Sequence, residues 1–420
     1  MINFLDKIIY FLLLMIVFIF QTYLLRFEIF NIPTTFIELC IYFTLSLYII
    51  LIFIDNKKEK LGKIREIFYQ NKPLFFGISI FIIGAFVSSM FSSDTRISFG
   101  IFKAYFIDPL LLFIIFISIV SENRIKYFIL SFVFSGIFIS IISIVYLLLG
   151  KVTYDNRLES FFNSPNFLAM TLAPVILAII SILLNSKKYK RLNLFLLGSL
   201  IIVFIPFILT YSYGAILGLF IAIFFSISLS LKSTKFKIML SLMILILSLI
   251  IFYFQLGDKK TQDIIFNDQR SSIASREMIF ESSLLILKDN YIFGIGPGMF
   301  QEYYLNYQNK FKEPYLEWAV PYPHNIFLAF WIQNGIFGLA GFLIILISVF
   351  SDSIKLVRRS QPSFTASVGL FVSSFFIYFS IHGIVDTPFW KNDLALTFFL
   401  FLGVVLILKS ELLNSRSSKF

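Results

Sequence analysis

Residues 127–149 read YFILSFVFSGIFISIISIVYLLL, a run of 23 residues without a single charged side chain. An α-helix needs about 20 mostly apolar residues to cross the roughly 30 Å hydrocarbon core of a bilayer. A run of this length and composition therefore predicts a transmembrane helix.

The same pattern recurs along the chain, which is 58% hydrophobic and 14% charged over 420 residues, with a mean hydropathy of +0.89. A soluble core of this length could not bury so much apolar surface. We therefore predict an all-α integral membrane protein with about twelve transmembrane helices, in contact with a lipid bilayer. The predicted spans are residues 7–25, 33–54, 73–91, 104–120, 127–149, 165–184, 193–210, 213–231, 236–256, 324–350, 364–383 and 394–409.

Lysines and arginines are concentrated in alternate predicted loops. With the N-terminus inside, cytoplasmic segments carry 22 of these residues and the short loops on the opposite side carry six. Short loops rich in lysine and arginine stay in the cytoplasm. We predict one polytopic domain over residues 1–420 with both termini cytoplasmic and a large outer loop, 257–323, between helices 9 and 10. This topology accounts for the net charge of +11, so we expect no nucleic-acid partner.

The outer loop contains a candidate anion site. Residues 275–288 are predicted to form an amphipathic helix with Phe280, Leu284 and Leu287 on one face. Arg276 lies near its start, where the guanidinium and the unpaired helix N–H groups would both favour an anion. The alternative is an arginine that faces water or lipid headgroups.

A glycine cluster, Gly294-Ile-Gly296-Pro-Gly298, follows this helix and permits positive φ and close backbone approach. No strand precedes it and no lysine follows it, so nucleotide binding is not indicated and a simple turn is the alternative. Asp258, Asp263 and Asp268 lie five residues apart, which does not match metal-ligand spacing. We predict no metal and no cofactor.

His324 is one of two histidines and follows Pro321 and Pro323, which are helix-start signals. A helix N-terminus disfavours imidazolium, which would leave this histidine able to accept a proton. The alternative is an interfacial histidine hydrogen-bonded to a neighbour. For His382, near the end of the eleventh span, we predict a structural hydrogen bond.

His324-Asn325 is followed by nine residues and then Gly335-x-x-Gly338, and this run resembles the bacterial O-antigen ligase and O-antigen polymerase family of lipid-linked glycan transferases. The resemblance covers roughly residues 150–405. It extends to RLESFFNSPNFLAMTLAPV at 157–175, YSYGAILGL at 211–219, the Arg276 helix with GIGPGMF, and IVDTPFWKNDLALTFFLFLGVVL near the end. Tyr213 stands where the family has an arginine expected to hold the donor diphosphate, so either Arg157 or another outer cation replaces it, or the donor site differs.

The resemblance implies transfer of a glycan from undecaprenyl diphosphate to an acceptor hydroxyl on the periplasmic face of the bacterial inner membrane. His324 would act as base or contact the phosphate, and Arg276 would hold the diphosphate. Other residues implied to bind substrate are Arg157, Asn166, Tyr213, Gly296, Asn325 and Asp386. The acceptor would be lipid A-core in a ligase or a growing glycan in a polymerase, and a secondary transporter is the rival class for twelve spans.

Overall fold

The computed structural model describes residues 1–29, 32–55, 58–185, 190–230, parts of 233–246, 272–310, 318–359 and 364–417. Within these ranges the chain forms fifteen helices and one two-stranded hairpin. Ten of the helical segments are long and apolar enough to cross a membrane, which confirms the prediction of an all-α multi-pass membrane protein.

The N-terminal elements are α1 (Ile2–Phe18), β1 (Arg26–Ile29), β2 (Ile32–Thr35), α2 (Phe36–Ile54), α3 (Glu59–Gln70), α4 (Lys72–Met90), α5 (Thr95–Phe102), a π-helical turn (Lys103–Ile107), α6 (Asp108–Ile119) and α7 (Glu122–Leu148). The remaining helices are α8 (Pro165–Asn185), α9 (Lys190–Ile208), α10 (Tyr213–Ser230), α11 (Ser272–Asn290), α12 (Phe300–Asn306), α13 (Ile326–Arg359), α14 (Phe364–His382) and α15 (Asn392–Ser417).

Eleven of the twelve predicted spans coincide with these helices. The ninth, at 236–256, lies mostly outside the described residues, as do 257–271 and 311–317 of the predicted outer loop. The first span corresponds to α1, which at 17 residues is shorter than the other ten.

The tenth predicted span, residues 324–350, is wrong in one respect, because α13 is broken at Gly335, where φ is 69° and ψ is −176°. The rings of Phe327 and Phe330 lie 5.7 and 4.5 Å from the ring of Phe342. In a straight helix, residues 12 to 15 apart are separated by about 18–22 Å. The chain therefore folds back at Gly335, and only the second part of α13 continues as a long helix.

The break in α13 is stabilised by the glycine-rich turn that follows α11. The N–H of Ile295 donates to the carbonyl of Ile332 (2.8 Å), and the N–H of Ile336 donates to the carbonyl of Ile292 (3.1 Å). A Cβ at Gly335 would lie 2.3 Å from the Ile292 oxygen. Positive φ and this close approach together require glycine at position 335.

The second glycine of the Gly335-x-x-Gly338 pair serves helix packing. A Cβ on Gly84 of α4 would lie 2.4 Å from the backbone nitrogen of Gly338, and one on Gly341 would lie 2.3 Å from that of Phe81. Small residues at helix contacts let backbones approach closely within a membrane. Helices α4 and α13 thus pack backbone against backbone.

Buried aromatic rings hold the first part of α13 against the loop between α14 and α15. Phe330 packs on Phe81 (4.9 Å between ring centroids) and on Phe389 (5.0 Å), and it also contacts Trp390. All four are fully buried. Since His324 precedes α13 and Asp386 lies in that loop, this cluster determines how far apart the two side chains are.

The predicted apolar face of α11 is only partly buried: Leu287 packs on the protein, but the other two residues do not. Phe280 and Leu284 are 44% and 45% exposed, whereas Ile279 and Ile286 are buried. Ser282 and Ser283 also face the protein, and their hydroxyls donate to the carbonyl of Ile279. Apolar residues occur on both sides of this helix, so periodicity alone could not tell the face that packs on protein from the outward one.

Candidate active site

His324 is positioned by the residue that follows it. The side-chain oxygen of Asn325 accepts hydrogen bonds from the N–H groups of Phe327 and Leu328, each 3.0 Å, and so caps α13. Its amide nitrogen donates to the carbonyl of Ile384 at 3.1 Å. Asn325 thereby ties the start of α13 to the α14–α15 loop, and both ends of its amide are used by protein groups.

The backbone of His324 is strained, with φ at 46°. A non-glycine residue in this region costs about 1–3 kcal/mol and persists only where the surroundings hold it, typically at functional sites. The cap at Asn325 holds it on one side, and a side-chain contact to Asp386 holds it on the other.

Asp386 is the buried partner of His324. The Nδ1 of His324 lies 3.2 Å from Oδ1 of Asp386, and the side chains are 31% and 5% exposed. Oδ1 also accepts from the N–H of Thr387 (2.9 Å), and Oδ2 accepts from the amide of Asn166 (2.7 Å). Burial by itself raises the pKa of Asp386, but the hydrogen bond and charge of His324, helped by His382 and Arg276, hold that pKa well below its usual range.

The network continues from Asn166 to Arg157. The Nη2 of Arg157 donates to the side-chain oxygen of Asn166 (2.8 Å), and its Nε donates to the carbonyl of Thr210 (2.8 Å). Burial lowers the pKa of Arg157, yet a guanidinium remains charged at any physiological pH. Arg157, Asn166, Asp386 and His324 therefore form one hydrogen-bonded chain, drawn from four separate parts of the sequence.

Arg276 shares a cleft with His324. It lies in the second turn of α11, so the guanidinium rather than the first helix N–H groups would contact an anion. The cleft has a volume of about 270 Å³ and is lined by Ser275, Arg276, Ile279, Ala319, Val320, Pro321 and His324. It therefore brings together the two residues predicted to be catalytic.

Gly296 does not line this cleft. Its φ is 96°, and its N–H donates to the hydroxyl of Ser88 (2.9 Å) and to the carbonyl of Gln333 (3.1 Å). A Cβ there would lie 2.5 Å from the hydroxyls of Ser92 and Ser98. These contacts give Gly296 a packing role at the break in α13.

Tyr213 begins α10 and lies close enough to Arg157 to interact with it electrostatically. The next residue, Gly214, packs against Val385, where a Cβ would lie 2.4 Å from that side chain. The start of α10 thus supports the loop that carries Asp386. Because Arg157 is only 13% exposed and is engaged by Thr210 and Asn166, Arg276 is the cation that faces the cleft.

Several partners in the site were not predicted from the sequence. Asp155 lies 3.9 Å from Arg157, and the carbonyl of Thr210 accepts from it. His382 is buried with its Nδ1 2.9 Å from the hydroxyl of Tyr378, so it makes the structural hydrogen bond that was predicted, and only the identity of its partner is new. In the parts of the chain that the structure describes, no three histidine, cysteine or acidic side chains are grouped as metal ligands, while Asp258, Asp263 and Asp268 lie outside them.

A sequence model of the family described as O-antigen ligase matches residues 198–343. Over these residues the chain is similar to the O-antigen ligase family, as the motifs around Arg276 and His324 predict. The match runs from α9 into α13 and includes Tyr213, Arg276, Gly296, His324 and Asn325. Arg157, Asn166 and Asp386 lie outside it, and the hydrogen-bonded chain joins them to His324.

This match indicates an activity of the O-antigen ligase or polymerase type. Proteins of this family act on lipid-linked glycans in the membrane, and the apolar helices of this chain agree with a membrane location. No protein in the curated set matches the sequence.

Proposed function

We propose that this protein transfers a glycan from undecaprenyl diphosphate to an acceptor hydroxyl, and that the acceptor is lipid A-core. The observation that supports this is the shared cleft of His324 and Arg276, with His324 held by Asp386. A lipid diphosphate needs no external energy source, because its sugar–phosphate bond is already activated.

In the proposed reaction, His324 acts as the general base. Its Nδ1 faces Asp386, which leaves Nε2 to take the proton of the acceptor hydroxyl. The acceptor oxygen forms a bond to the anomeric carbon of the donor as the bond from that carbon to the diphosphate oxygen breaks. Asp386 stabilises the resulting imidazolium, and undecaprenyl diphosphate departs with the bonding electrons.

Arg276 stabilises the leaving group. Negative charge grows on the diphosphate oxygen as the glycosidic bond breaks, and a preorganised guanidinium is suited to hold it. The remaining lining of the cleft, including Ile279 and Val320, is largely apolar, which strengthens such an interaction. We assign this role to Arg276 and not to a metal ion.

The location of the cleft favours an enzyme over a transporter. It is bounded by α11 and by residues 319–324, which lie before α13 at the same end of the bundle as the α14–α15 loop. A secondary transporter would place its substrate near the middle of the membrane, between broken helices. A cleft at one end suits two substrates that approach from the bilayer surface.

The test compares surface glycan from cells that lack the protein and are complemented with wild type, His324→Ala or Arg276→Ala. Loss of one such group typically lowers turnover about 100- to 1,000-fold, so we expect almost no product and normal amounts of protein in the membrane. Lys288→Ala is the matched control, because Lys288 is an exposed cation on α11 away from the cleft.

The nature of the missing product decides the acceptor. Long glycan that accumulates on undecaprenyl diphosphate, with none on lipid A-core, identifies a ligase. Single repeat units on the acceptor identify a polymerase. A His324→Ala variant that retains activity contradicts the proposed mechanism.

A further inference from the structure

A second and larger cleft lies beside the hairpin of β1 and β2. It has a volume of about 750 Å³, within the range of small-molecule sites. Its wall is formed by the hairpin, α5 and the π-helical turn, and its polar lining includes Arg26, Glu38, Asp94, Arg96, Lys103 and Asn392.

Two guanidinium groups at this cleft are not neutralised. The Nζ of Lys103 is paired with Glu38 at 2.9 Å, and Asp94 caps α5 through the N–H of Ile97 at 3.0 Å. Arg26 and Arg96 are exposed and form no ion pair with any carboxylate among the described residues. Guanidinium groups bind phosphate through paired N–H donors.

Buried ionisable groups continue from this cleft into the bundle. Glu38 is 3% exposed, and one helical turn further along α2 the hydroxyl of Tyr42 donates to Oδ1 of Asp108 (2.7 Å). Asp108 is 1% exposed, and its Oδ2 has no partner among the described residues. The π-helical turn begins at Lys103 and ends directly before Asp108. Ionisable residues within a membrane and π-helical turns both occur preferentially at functional sites.

One short segment connects the two clefts. Pro321 and His324 line the first cleft, whereas the ring of Tyr322 stacks on Trp390 at 6.0 Å and its hydroxyl interacts with Tyr105. Tyr105 lines the second cleft. The side chains of Tyr322 and Tyr105 therefore connect the segment that lines the first cleft to the wall of the second.

We infer that the second cleft binds the phosphate of the second lipid-linked substrate, the glycan acceptor, while Arg276 holds the donor diphosphate. This inference rests on the proposed transfer reaction, which needs two substrates at once. A phosphorylated glycolipid and a glycan carried on a polyprenyl diphosphate share the phosphate chemistry that Arg26 and Arg96 recognise. Exposed Phe36, Leu39 and Phe43 on α2 continue from this cleft and suit the lipid tail.

The experiment uses a benzophenone-bearing farnesyl diphosphate as a photoreactive probe on the full-length protein in detergent. The position of the label on the chain tells the two clefts apart. Label within residues 26–38 or 94–104 reports the second cleft, and label within 275–279 or 319–324 reports the first. We expect label in both. Arg26→Gln or Arg96→Gln should lower labelling of the second cleft about tenfold, since one charge-assisted contact is lost, and leave the first unchanged.

Lys151→Gln is the matched control, because Lys151 is an exposed cation that lines neither cleft. Unlabelled farnesyl diphosphate and diphosphoryl lipid A should each compete for the second cleft, and the stronger competitor identifies the source of the phosphate. Farnesol that competes equally would mean an apolar groove, and inorganic pyrophosphate that competes equally would mean that no lipid is recognised. Either result, or labelling that survives both arginine substitutions, overturns the inference.

The two proposals fail in different ways. His324→Ala should abolish transfer but keep the label in the second cleft, since binding there does not need the base. If the second cleft is not labelled but transfer still depends on His324, the proposed acceptor site is wrong and the proposed reaction stands. If the second cleft is labelled but the His324→Ala variant is active, the proposed reaction is wrong instead.

Discussion

At the scale of single residues, Asp386 determines the geometry of the site, because its two oxygens accept from three separate parts of the chain. These donors are His324, the backbone of Thr387 and the amide of Asn166. With three hydrogen bonds to protein groups and a side chain only 5% exposed, Asp386 is placed to orient His324. The substrate-binding role that the resemblance implies for Asp386 stays a prediction.

Asp386→Asn tests this assignment, since the substitution keeps the shape and removes the charge. We expect kcat to fall about 100-fold, within the range for general acid–base catalysis, while KM for the lipid donor stays near that of the wild type. Steady-state kinetics with purified protein separate the two parameters. Glu277→Gln, on the exposed side of α11, is the control. A raised KM with unchanged kcat would instead make Asp386 a substrate ligand.

His324 and Arg276 could be predicted as a pair, because each stands in a motif that a known family shares. The hydrogen-bonded chain behind them could not. Asn166 and Asp386 are 220 residues apart, and His324 and Asp386 are 62 apart, so spacing gives no sign of contact. Only the packing of α8, α13 and the α14–α15 loop brings them together.

At the scale of elements, the break in α13 is a feature that hydrophobic periodicity does not predict. Gln333, Asn334 and Gly335 interrupt an apolar run, yet the hydropathy pattern predicts one continuous helix. The two polar side chains are nevertheless buried, and the carbonyl of Gln333 accepts from Ser88 of α4. The polar pair before a glycine was the available signal for a break.

The backbone contact between α4 and α13 gives a prediction about stability. A Cβ on Gly84 would meet the backbone of Gly338 at 2.4 Å, and backbone cannot move aside as a flexible side chain can. Gly84→Ala should destabilise the fold by about 1–3 kcal/mol, the usual cost of overpacking. Thermal unfolding of purified protein in detergent, followed by fluorescence, measures the change in Tm.

Gly198→Ala is the matched control for Gly84→Ala. Gly198 also lies within a membrane-spanning helix, but no atom outside its own helix lies within 4 Å of an added Cβ. Alanine is the better helix former, so Tm should stay the same or rise. Equal losses of Tm in the two variants would mean that the α4–α13 contact is not as close as the structure shows.

At the scale of the whole molecule, the membrane-spanning helices were predictable from composition, because each needs only a long apolar run. What composition could not show is that a first cleft beside His324 is connected through Tyr322 and Tyr105 to a second cleft beside the hairpin. That arrangement depends on side-chain contacts such as that of Tyr322 with Trp390, and a hydropathy pattern does not predict such contacts.

The remaining prediction concerns which side of the membrane carries the clefts. The charge asymmetry, with 22 lysines and arginines against six, places Glu59 in the cytoplasm and Lys151 outside. Both side chains are exposed, so Glu59→Cys and Lys151→Cys can be labelled in a Cys40→Ala background. A membrane-impermeant maleimide should label Lys151→Cys in cells with a permeable outer envelope and Glu59→Cys only after lysis. The reverse pattern would place His324 in the cytoplasm, where a reaction on the periplasmic face could not use it.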